Sequence, residues 1–171
     1  MQLSAGKKNN SNDKKICIDL NCDLAQSFGI YKNDVEFSLL PYVSSVNISC
    51  GSHSADPVTI MNALKKAKEN NLAVGAHIGY PDIQGFGYRD MAFDAEELEA
   101  LVVYQLGALS ALAKSYNISI EHVRPHGALY KKAATDLETS VNICLYVYFF
   151  TSSSGSPWKI SATLSPLPFS T

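Results

Sequence analysis

From residue 16 onward the chain repeats one pattern: a short apolar run, a polar loop, then usually an amphipathic segment. That alternation marks βα units packed around a largely parallel sheet. Four runs predict strands, at 16–20 (ICIDL), 43–50 (VSSVNISC), 72–76 (LAVGA) and 118–123 (ISIEHV). Each is short and rich in β-branched residues, as buried parallel strands are.

Two helices carry their own signals. The first opens at Asp56-Pro57, where aspartate can accept from free N–H groups and proline suits the first helical position. Ile60, Met61, Leu64 and Ala67 then share one face, and the pattern stops near Asn70-Asn71. The second opens at Asp94 with Glu97 three residues on, a capping box flanked by the staple pair Phe93 and Leu98. Its Leu98, Leu101, Val102, Leu109 and Leu112 form a core-facing stripe.

The ends read differently. Residues 1–15 are polar and lysine-rich, and are expected to be a disordered leader rather than a secretory or transit segment. Residues 141–171 carry one charge, Lys159, and finish in a Ser/Pro/Thr-rich stretch. A poorly ordered tail is expected there, with a strand-like run, CLYVYFF, at 144–150. The β/α portion is therefore placed at 16–140.

Charge and cysteine usage narrow the function. Fourteen Lys+Arg against 16 Asp+Glu give a net charge of −2, which offers no field for gripping a polyphosphate, so no nucleic-acid partner is expected. The apolar run at 141–150 is about half the ~20 residues that cross a bilayer, and no membrane association is expected. Four cysteines without a CxxC pair support neither a disulfide scaffold nor a structural zinc site, which makes a reducing cytoplasm the default.

Residues of useful chemistry gather at the ends of the apolar runs. Asp19, Asn21 and Asp23 surround the first; Asn47, Cys50 and His53 the second; His77, Asp82 and Arg89 follow the third; Arg124 and His126 follow the fourth. In a parallel βα architecture all strand C-termini face one rim, so such residues converge into one pocket. Plainer roles compete: Asp56 is a cap, Asp23 is as readily a turn-former, and His122 is expected to face outward or pack against a helix. His53, His77 and His126 each lie in a loop close to a glycine, where backbone approaches a ligand and imidazole can act as acid, base or metal ligand.

The strings DLNCDLAQSFG, SVNISCGSHSADP, GAHIGYPDIQGFGYR and HVRPHGALY, in that order, resemble the LamB/YcsF family, which includes the A subunit of prokaryotic-type 5-oxoprolinase. The resemblance covers about residues 16–136. It implies a seven-stranded β/α barrel, TIM-like and of the glycoside hydrolase/deacetylase type, of which this chain carries about four strands. It also implies ATP-dependent opening of 5-oxo-L-proline to L-glutamate together with subunits B and C, with ATP as co-substrate and no tightly bound cofactor.

On that resemblance, Asp19 or Asp23 orients or deprotonates water, and His53, His77 or His126 protonates the departing nitrogen. Asn21, Asn47 and Arg124 bind the substrate carboxylate or the oxyanion, and Asp82, Arg89 and Tyr130 are further substrate contacts. Where the family carries glutamate after the first strand this chain has Gln26, and the first of two arginines is Tyr88. Two other readings stand beside this one: a metal-dependent hydrolase using an Asp and two of the three histidines, and a truncated, non-catalytic remnant.

Overall fold

The computed structural model describes residues 18–154 and the pair Lys159–Ile160. The expected leader at 1–15 and residues 155–158 and 161–171 of the expected tail lie outside the described residues. The elements run β1 (Asn21–Leu24), a 3₁₀ helix (Asp34–Tyr42), β2 (Ser45–Ser49), α1 (Pro57–Glu69), β3 (Ala73–Ile78), α2 (Ala95–Ser115), β4 (Ile120–Pro125), α3 (Gly127–Thr135), α4 (Leu137–Ser154) and β5 (Lys159–Ile160). The strands lie side by side in chain order and every pairing is parallel. Consecutive parallel strands with intervening helices form the wall of a β/α barrel, here a partial, TIM-like one.

Local chemistry sets the two expected helices. Asp56 accepts from Thr59 N with Pro57 at the first position, and α1 ends at a cap on Asn70. Both bonds of the Asp94–Glu97 capping box form at the start of α2. Its buried stripe is Leu98, Val102, Leu106, Leu109 and Ala113, with Leu101 and Leu112 packed at its margin.

One face of the sheet is apolar. Val46, Ile48, Val74, Ala76, Ile78, Ile120 and Val123 are buried in one core with Leu64, Leu106 and Leu109 of the helices, and each fully buried side chain of this size contributes about 1.5–3 kcal/mol. The alternate positions are polar, because side chains two apart share a face. Strand register sets them in rows: Asp23, Asn47, Gly75 and His122 are lateral neighbours, and so are Ser49, His77 and Arg124.

Three expectations change. The first strand lies at Asn21–Leu24 rather than 16–20: Ile18 is 80% exposed, and pairing begins where Leu20 O accepts from Ser44 N. His122 does not face outward. An irregularity in the β3–β4 pairing leaves Glu121 unpaired between Ile120 and His122, so Ile120 and Val123 both reach the core while His122 turns to the polar face. The run at 144–150 is helix, not strand, within α4, which crosses residue 140 without a break. Thr139, Ile143, Val147 and Thr151, spaced by four, are its buried face, whereas Leu145, Tyr148 and Phe149 are exposed. No helix among the described residues is long and apolar enough to cross a membrane.

Candidate active site

The polar face converges on Asp23. From β1 its carboxylate accepts from Asn47 Nδ2 at 2.7 Å (β2) and from Arg124 Nη1 at 2.6 Å (β4), and His77 Nε2 of β3 lies 3.5 Å from its second oxygen. Burial works against the charge, but His77, Asn47 and Arg124 together hold the carboxyl below its ordinary range. Asp23 is therefore an anion with a fixed orientation. Arg124 Nε is buried with no hydrogen-bond partner among the described residues, a donor left over for an anionic ligand.

Three imidazoles continue from Asp23. His77 Nδ1 donates to Arg124 O at 3.0 Å, which leaves its Nε2 facing His126 Nδ1 at 3.1 Å. His126 Nε2 in turn donates to Phe86 O at 2.8 Å. His53 stacks on the His126 ring with centroids 4.1 Å apart, and its Nε2 meets Ser49 Oγ at 3.1 Å. Burial, reinforced by the neighbouring imidazoles, pulls His53 down to about 2. Burial also lowers His77, to about 4, against the pull of Asp23. Cys50, in contrast, is no nucleophile: its buried thiol is pushed up to about 12.

The loop after β3 supports this cluster from above. Asp82 accepts from Gly85 N, Arg89 N and Arg89 Nε, and pairs with Arg89 Nη2. That turn sets Phe86 O over His126 and Gly87 O over Ala128 N. Gly87 has φ +73°, and a Cβ there would lie 2.8 Å from both His126 Cδ2 and His53 Cβ. Gln105, buried within α2, clamps Gly79 at both its N–H and its C=O.

A profile of the LamB/YcsF family matches residues 18–154. The chain belongs to the LamB/YcsF family. It is 47% identical over 136 residues to the A subunit of a 5-oxoprolinase from Bacillus cereus (strain AH820), covering 80% of this chain and 54% of that protein. To the corresponding 5-oxoprolinase polypeptide of Clostridium beijerinckii it is 46% identical over 131 residues, covering 77% and 51%. Among solved structures it resembles a lactam utilization protein from Thermus thermophilus, with TM-score 0.78 and 39% identity over 85% of this chain and 66% of that one. The chain thus spans about half the length of the curated relatives it matches.

Within this LamB/YcsF chain, Asp23, His53, His77, His126, Asn47 and Arg124 come together on one face. Asn21 joins them at the foot through its contacts with Asn47 and Ser45. Asp19 does not reach the cluster. It precedes β1, is exposed, and is held below the usual carboxylate range by Ser44 first and by Ser45, at the opposite end of the strands from His53 and His126. Asp82 and Arg89 are spent on each other and on the loop backbone. Tyr130 sits in the first turns of α3, where its amide donates to His126 O.

Other members of the site were not anticipated. His122 Nε2 donates to Asn47 Oδ1 at 2.6 Å, which turns the Asn47 amide so that its NH₂ faces Asp23. Gly75 makes room for that ring: a Cβ at this position would lie 2.1 Å from His122 Nε2. Buried Glu36 accepts from Ala25 N and Gln26 N, fixing the backbone just past Asp23 at the position where the family carries glutamate. The readable signals were small: a glycine inside an apolar run, and a glutamine inside an apolar helical stripe.

Proposed function

We propose that this chain contributes the water-activating site of a cyclic-amide hydrolase that opens 5-oxo-L-proline to L-glutamate. Its partners would be the B and C subunits of a 5-oxoprolinase, on which ATP activates the lactam oxygen. The observation that carries the reading is the Asp23 carboxylate clamped by Arg124 and Asn47 beside three buried imidazoles. The names of the relatives supply the substrate class.

A five-membered lactam is a resonance-stabilised amide, and its opening needs a base for water, an electrophilic partner for oxygen and a proton for the leaving nitrogen. Asp23 takes the proton from water as the new C–O bond forms. The phosphoryl group that ATP places on the lactam oxygen is the electrophilic partner of that oxygen. The proton held on Asp23 passes to the ring nitrogen, the C–N bond breaks as the adduct's hydroxyl proton follows it, and a second water splits the resulting acyl phosphate into glutamate and phosphate. Arg124, with its unmatched Nε–H, suits the substrate carboxylate.

The test is glutamate release from 5-oxo-L-proline by the full chain mixed with subunits B and C and ATP. Production that depends on all four components is expected. Equal production without this chain would contradict the proposal.

A further inference from the structure

We propose that His53, His77 and His126 bind one divalent transition-metal ion of the zinc type, with Asp23 beside its open coordination position. A neutral imidazole has one N–H. His77 spends its own on Arg124 O and His126 spends its own on Phe86 O, since a carbonyl only accepts. What then face each other, 3.1 Å apart, are two lone pairs, on His77 Nε2 and His126 Nδ1.

A third proton would turn this contact into a hydrogen bond at the cost of a buried charge, which burial of both rings opposes. A metal ion satisfies both lone pairs at once. Tetrahedral bonds of 2.0–2.1 Å set ligand atoms about 3.3 Å apart, close to the 3.1 Å of this pair.

Two further features fit. Each of the paired imidazoles donates its outer N–H to a backbone carbonyl, the arrangement that fixes the tautomer of metal-binding histidines. His53 supplies the third nitrogen: its Nδ1 is buried without a partner among the described residues, its Nε2 meets only Ser49 Oγ, and the three ligand atoms lie within 4.8 Å of one another. An all-imidazole set favours zinc-type ions over magnesium or calcium, and three protein ligands leave a fourth position for water. Asp23 is placed to take a proton from that water.

The inference stands apart from the lactam reading, and its test needs no substrate. The full chain, untagged and stripped with chelator, is titrated with Zn²⁺ by calorimetry and with Co²⁺ by visible absorption. One ion per chain and the intense spectrum of four-coordinate Co²⁺ are expected. His77→Ala and His126→Ala each weaken Zn²⁺ binding by at least about 100-fold, while His122→Asn, the remaining histidine, keeps it. His77→Gln, which still donates to Arg124 O, covers the case in which alanine unfolds the chain. No saturable binding, or unchanged affinity in folded His77 and His126 variants, overturns the inference. Binding without lactam opening upholds it and contradicts the proposed function, whereas lactam opening by a chain with no saturable Zn²⁺ binding overturns the inference and upholds that function.

Discussion

Arg124 Nη1 donates to Asp23 Oδ1 at 2.6 Å, joining residues 101 apart in sequence and three strand steps apart in the sheet. In a flat sheet three steps would separate the backbones by about 14 Å. The contact therefore needs both the reach of an arginine and the inward curl of a barrel wall. A single ion pair thus reports that β1 to β4 curve around a common face.

Removing this tie leaves a partly buried carboxylate without its guanidinium partner. Arg124→Met is expected to destabilise the fold by about 1–3 kcal/mol. Urea denaturation of the two proteins measures the difference.

Gly75→Ala drives a methyl group against the His122 ring and displaces it from Asn47. The expected loss is about 1–3 kcal/mol, as for other overpacked sites. His122→Ala in the same background should recover much of it. A double-mutant cycle showing no coupling between the two positions would contradict the packing described.

The Asp82–Arg89 turn is acid-sensitive. Its hydrogen bonds to Arg89 first, and to Gly85 N, hold Asp82 at about 2, below the ~3.9 of an unfolded aspartate. A depressed folded value means that the turn's stabilisation is fully present above about pH 4 and is lost as pH falls toward 2. The Asp82 carboxyl carbon shift, followed by NMR, should titrate near pH 2. A midpoint near 4 would show that the turn does not form as described.

In α4, Ile143 and Val147 face the core while Tyr148 and Phe149 face out. Ile143→Ala should cost about 2–4 kcal/mol and Phe149→Ala no more than about 0.5. Similar costs at both positions would mean that this run does not pack as a helix.

These cases separate what the amino-acid pattern reveals from what it hides. Caps and stripes are local, so Asp56, Asp94 and Glu97 declared α1 and α2 directly. In 144–150 the exposed Leu145, Tyr148 and Phe149 are as apolar as the buried Ile143 and Val147, and the four-residue period vanished into a uniform run. His122 was misplaced because one unpaired residue, Glu121, shifts the phase of β4, and a bulge has no signature in a six-residue strand. Asp19 and Asp23 look alike because both lie close to an apolar run; only the hydrogen bonds of Asp19 to Ser44 and Ser45, and the register of Asp23 with Asn47, assign one to the foot and the other to the cluster. The convergence of the three histidines was legible from their repeated position after strands, while their tautomers depend on carbonyls supplied by distant segments.

The most direct measurement compares Asp23→Asn with Asp19→Asn in glutamate release from 5-oxo-L-proline, using the full chain with subunits B and C and ATP. Asp23→Asn should lower the rate by at least about 100-fold, the usual worth of a positioned base, while Asp19→Asn stays within a few-fold of the parent chain. Undiminished release by a folded Asp23→Asn protein, or loss confined to Asp19→Asn, would contradict the assignment of Asp23 as the water-activating group.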